Sequence, residues 1–221
     1  MLSYDSGMSA TTIPGSEGVD RSERLKRGLV LEYFSIAWNV LETVVGLIAG
    51  LAAGSIALVG FALDSVAEAS SAGVLIWRLR AEQGGSHSSE EAERKAIRLV
   101  AVAFLGLAAY VGGRAGYDLA TGARPEESTV GIVLALVSLV VMPLLAWRKR
   151  AVARELDSRS LQADAKQTTL CTYISAFLLI GLAANSLFAW WWADPLAGLA
   201  IAGLAAREGF ELWRTEDFCC T

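Results

Sequence analysis

The chain has 221 residues, 54% of them hydrophobic, with 19 Lys and Arg against 23 Asp and Glu for a formal net charge of −4. Its apolar residues collect into runs of about 20 between short charged clusters, which excludes an ordinary soluble domain and points to an integral membrane protein. Three cysteines, Cys171, Cys219 and Cys220, are too few for a disulfide framework and are expected to be free thiols.

Residues 1–28 open with a polar stretch of Gly, Ser, Thr and Pro that lacks the apolar core of a signal peptide. They are expected to form a disordered cytoplasmic tail. Six spans follow, at 29–50, 55–78, 97–118, 129–147, 168–190 and 194–213. They make 29–214 one transmembrane domain and leave 215–221 as a short cytoplasmic tail. Of the 19 Lys and Arg, 17 lie before the first span, around the second loop, in the fourth loop or at the end of the sixth span. Only Arg114 and Arg124 fall on the other side. The positive-inside rule therefore places both termini in the cytoplasm. Retention of basic residues on that side explains the clusters without any nucleic acid. The expectation is an all-α protein of the cell membrane with six transmembrane helices.

In the first span Glu32, Ser35, Asn39, Glu42 and Thr43 recur at helical spacing. Glu42 lies deep in the span, as a third acid on a polar path or as a partner for a buried donor such as Asn185. Gly46, Gly50 and Gly54 form a smooth ridge for close helix packing, and the uncharged turn after Gly50 makes a tight hairpin. The second span carries the sharpest signal. Asp64 and Glu68, four residues apart, share one face of an otherwise apolar helix, and Ser71 extends that stripe. Each carboxylate costs about 2.5–3.5 kcal/mol near a bilayer centre on insertion scales. Two on one stripe repel unless something positive joins them, so they point to a cation or a proton path. The competing reading is a structural pair hydrogen-bonded inside a bundle.

Arg114 and Asp118 in the third span form a local ion pair near the water, and Pro143 is placed to kink the fourth. In the fifth span Asp164, Gln167, Thr168, Cys171, Ser175 and Asn185 lie on or near one face. Cys171 read alone packs as a small apolar residue. Set opposite two carboxylates at a similar depth, Gln167 and Cys171 are ligand types for a metal. Trp190, Trp191 and Trp192 form an aromatic belt before Asp194-Pro195, which starts the sixth helix.

The string Gly54-Ser-Ile-Ala-Leu-Val-Gly-Phe-Ala-Leu-Asp-Ser-Val-Ala-Glu68 resembles the second-helix motif of the cation diffusion facilitators. Ala163-Asp-Ala-Lys-Gln-Thr-Thr-Leu-Cys171 resembles their fifth-helix motif, and Ala193-Asp-Pro195 the start of their sixth. The resemblance covers most of 29–213. It implies a homodimeric secondary transporter that exports a divalent metal, usually zinc, in exchange for protons. By position the metal site would comprise Asp64, Glu68, Gln167 and Cys171, with Glu42, Asp164 and Asn39 on an additional polar pathway. The family typically has Asp at Glu68, and His and Asp at Gln167 and Cys171. It also carries a C-terminal cytoplasmic domain and a His-rich loop, so the resemblance is to a short, divergent member without them.

Carboxylate oxygen and thiolate sulfur both suit zinc, and the sulfur favours Zn²⁺ or Cd²⁺ over Mg²⁺ or Ca²⁺, with Co²⁺ also admissible. Gln167 is a weak zinc ligand, so water or Asp164 would complete the shell. The metal is substrate, and no permanently bound cofactor is expected. No span contains His, and the single His87 sits in a loop, so proton exchange would fall to the acids and the thiol. Cys219 and Cys220 are either a soft pair that collects incoming metal or plain tail. The alternative function is a regulatory or structural membrane protein on the same scaffold. An enzyme is disfavoured, because no nucleophile–base pair or phosphate-binding cluster accompanies the acids.

Overall fold

The structure, a computed structural model, describes residues 14–83 and 90–217. Each expected span corresponds to one helix: α1 (Pro14–Ala53), α2 (Ile56–Gln83), α3 (Glu90–Thr121), α4 (Thr129–Glu155), α5 (Arg159–Phe188) and α6 (Ala193–Asp217). The described residues contain no strand. Among them, α1, α2, α4 and α5 are the helices long and apolar enough to cross a membrane, while α3 and α6 pack along each other. Short connections make successive helices antiparallel. That alternation gathers the start of α1, α3 and α5 and the end of α2, α4 and α6 at one end, the end rich in Lys and Arg.

Helices run past the apolar windows that announce them. Residues 14–28, expected to be disordered, are instead the first turns of α1. Leu25 and Leu29 explain why, since both are buried in one cluster with Leu75, Leu79, Val152 and Leu161 from α2, α4 and α5. Residues 1–13, His87, Cys219 and Cys220 lie outside the described residues. Helix α4 continues through Pro143. Of the glycine ridge, Gly46 and Gly50 serve close packing: an added Cβ would stand 2.9 Å from the Ala62 and Val59 side chains, respectively. Gly54 differs. Its φ of +64° and open surroundings make it the residue that turns the chain into α2.

The bundle is apolar outside and polar within. Val30, Ile48, Leu51, Val140, Ile180 and Leu187 are exposed on its flanks, whereas Glu32, Asn39, Glu42, Asp64, Glu68 and Lys149 are buried. Lipid demands this distribution, and water would reverse it. Helix α2 touches α1, α3, α5 and α6, which is why its carboxylates are buried. An apolar cluster of Leu58, Phe61, Leu134, Ile174, Leu178 and Ile201 fills the end bearing the α1–α2 turn. The Leu25 cluster fills part of the basic end, so the polar residues lie between two apolar layers.

Asp194 sets the rotation of α2 from another helix. Its buried carboxylate accepts hydrogen bonds from the Ser55 hydroxyl and from the backbone N–H of Ile56 (3.0 Å) and Ala57 (3.5 Å). The first turn of α2 is thereby capped by an anion at its electropositive end, about two turns before Asp64. Trp190 and Trp192 stack at 5.1 Å between centroids beside the same turn.

Candidate metal centre

Asp64 and Glu68 project from α2 toward α5, where Cys171 lies between them. The Cys171 thiol Sγ is 3.0 Å from Asp64 Oδ2 and 2.7 Å from Glu68 Oε2, with the sulfur as donor. Thr168, one turn earlier on α5, donates to Glu68 Oε1 at 2.7 Å. All four residues are buried, Glu68 and Thr168 completely. The i, i+4 spacing on each helix sets two rungs against two, so two acids, a thiol and a hydroxyl converge without any loop.

Gln167 is on the same face. It lines a narrow crevice with Asp64, Cys171 and Glu208, and its Nε2, on a residue 6% exposed, has no hydrogen-bond partner among the described residues. Of the four residues expected at the metal site, the structure joins three by hydrogen bonds and sets the fourth along the crevice wall. Among the described residues no three His, Cys, Asp or Glu side chains already stand in metal-holding geometry. The trio is closed on itself through the thiol hydrogen. A cation that takes the sulfur must displace that proton, because thiolate is the ligand form.

The additional pathway residues divide into two groups. Glu42 is held by three donors: Trp38 Nε1 (2.6 Å) and Ser138 Oγ (2.6 Å) to Oε1, and Ser65 Oγ (3.0 Å) to Oε2. Ser175 Oγ lies 3.0 Å from Ser138 Oγ and donates to the Cys171 carbonyl at 2.8 Å, linking this network to the α5 rung of the site. The expected alternative partner, Asn185, is elsewhere. Its Nδ2 donates to the Pro125 carbonyl at 3.1 Å, in the α3–α4 connection. Asn39 is fully buried with both amide atoms unpartnered among the described residues.

Asp164 is occupied differently from expectation. It is ion-paired to the fully buried Lys149 of α4, whose Nζ also reaches Glu32 Oε2 of α1 at 3.1 Å. An acid engaged by an ammonium is a poor fourth ligand. By sequence Lys149 counts among the basic residues of the fourth loop. The overlooked signal is its phase, since Ser138, Met142, Leu145, Lys149 and Val152 form one buried stripe at steps of three and four. Thr168 lies on the α5 face where the sequence puts it, now as a donor to Glu68, whereas Glu208 of α6 was missed as a neighbour of the acids. Arg114 does pair with Asp118 as expected, at 3.0 and 3.2 Å.

Residues 33–216 match the cation efflux transmembrane domain. The chain belongs to this family. Among its curated relatives is the cation-efflux pump FieF of Shewanella oneidensis, 27% identical over 187 residues, covering 80% of this chain and 62% of the relative. An uncharacterized transporter of Synechocystis is 27% identical over 169 residues, 73% of this chain and 54% of the relative. Transmembrane protein 163 of Xenopus laevis is 24% identical over 190 residues, covering 85% and 66%. The chain thus spans less than two thirds of the length of the first two. The cation efflux match encloses both helices that supply the Asp64, Glu68 and Cys171 trio.

Proposed function

We propose that this cation efflux domain is a secondary transporter that exports a divalent transition metal, zinc foremost, in exchange for protons. Asp64, Glu68 and Cys171 are its direct ligands, and Gln167 faces the ion from the crevice. The observation that carries this reading is the Cys171 sulfur lying within hydrogen-bond distance of both α2 carboxylates in the buried interior of the bundle. Two carboxylates and a thiolate match a zinc donor set, and the soft thiolate disfavours magnesium and calcium. Proton exchange follows from the same atoms. The trio holds at least the thiol proton when closed, and a dication can bind only as that proton leaves. Zinc affinity therefore rises with pH. The basic helix ends face the cytoplasm of the cell, both termini with them, and two copies form the working unit.

Flux into proteoliposomes tests the reading. With an imposed pH gradient the native chain is expected to accumulate zinc and move protons in the opposite direction, and collapsing the gradient is expected to stop accumulation. Absence of gradient-driven movement of zinc, cadmium or cobalt by folded protein would contradict it and favour a non-transporting role.

A further inference from the structure

A cavity of about 130 Å³ lies at the basic end of the bundle, between the end of α2, the start of α5 and the end of α6. Ser71, Arg78, Asp164, Gln167 and Glu208 are among its walls. Gln167 and Glu208 also line the narrow crevice that contains Asp64 and Cys171. The two residues thus stand at the neck between cavity and acid–thiol trio, one from α5 and one from α6. One nearby atom, Gln167 Nε2, on a residue 6% exposed, has no hydrogen-bond partner among the described residues. An amide can turn its oxygen or its nitrogen toward a neighbour, and its oxygen accepts a cation or its bound water.

We propose that Glu208 is an entry ligand for the transported dication, which it captures at this neck, with Gln167, before the ion passes to Asp64, Glu68 and Cys171. The inference rests on the transport reading above and adds a site to it. Position supports the assignment. The opposite approach is filled by the Leu58–Phe61–Ile174 cluster, so the neck is the polar approach to the trio. Helical phase supports it as well, since Ile201, Ala205, Glu208 and Leu212 follow one another at steps of four, three and four on the inner side of α6. Glu208 places negative charge at the mouth of a low-dielectric passage, where charge raises the capture rate of an oppositely charged ion.

Zinc flux measured against zinc concentration, for the native chain, Glu208→Gln and Glu208→Asp, tests this. Glu208→Gln is expected to raise the apparent KM about tenfold, within the range for electrostatic capture, with kcat preserved. Glu208→Asp is expected to stay near native. Higher ionic strength is expected to raise KM in the native chain and to change it little in Glu208→Gln. An unchanged KM in Glu208→Gln would overturn the proposal. So would a fall in kcat at constant KM, or equal losses in Gln and Asp variants, since both indicate a structural role. Absence of flux in the native chain would instead strike the transport reading itself.

Discussion

Replacing Lys149 by Ala is expected to destabilise the bundle by about 3–5 kcal/mol, the range for removing one partner of a buried ion pair. The ammonium is fully buried between Glu32 of α1 and Asp164 of α5, and it ties three helices at one level. Without it two carboxylates remain buried side by side without a counter-charge, and the cost comes from that uncompensated charge rather than from lost contact. The sign is therefore testable within one series. Combining Lys149→Met with Glu32→Gln and Asp164→Asn removes all the charge and is expected to recover most of the loss, because neutral isosteres often replace a buried triad without penalty. Unfolding in detergent reads both variants. A small loss in Lys149→Ala, or no recovery in the triple variant, would mean that the triad does not carry the stability assigned to it.

Replacing Glu68 by Gln is expected to abolish gradient-driven zinc movement, with a loss of more than about 100-fold. Removing merely an outer hydrogen-bond partner of a metal ligand already costs roughly 10–100-fold. The substitution keeps the shape and the possibility of hydrogen bonds to Thr168 and Cys171, now 2.7 Å from the carboxylate by either route. Folding should survive while the charge that balances the dication disappears. Asp64→Asn is expected to behave alike. Retention of coupled flux in Glu68→Gln would move the site away from the α2 rungs.

Much of this molecule was legible in the chain because lipid enforces simple periodicities. Six apolar runs announced six helices, and the Asp64/Glu68 and Gln167/Cys171 pairs announced two facing stripes by their four-residue steps. Helix ends were not legible, because hydropathy marks only the apolar part. Residues 14–28 extend α1 through Leu25 and Leu29, whose partners come from three other helices. Asp164 was read as a spare ligand and Lys149 as one of the basic residues of the fourth loop, and only the packing of α4 against α1 and α5 brings them together. Glu42 was read as a third acid on the polar path or as a partner for a donor such as Asn185, and its donors come from its own helix, α2 and α4. Pairings across helices depend on rotation and depth, and those are tertiary quantities.

Cobalt spectroscopy on the purified chain tests the central claim most directly, with Cys219 and Cys220 replaced by Ser so that Cys171 is the one remaining thiol. The account predicts a thiolate-to-cobalt charge-transfer band that grows as pH rises, disappears in Cys171→Ser and weakens in Asp64→Asn. Cobalt bound without that band, or a band that survives Cys171→Ser, would contradict a centre built from the Cys171 sulfur and the two α2 carboxylates.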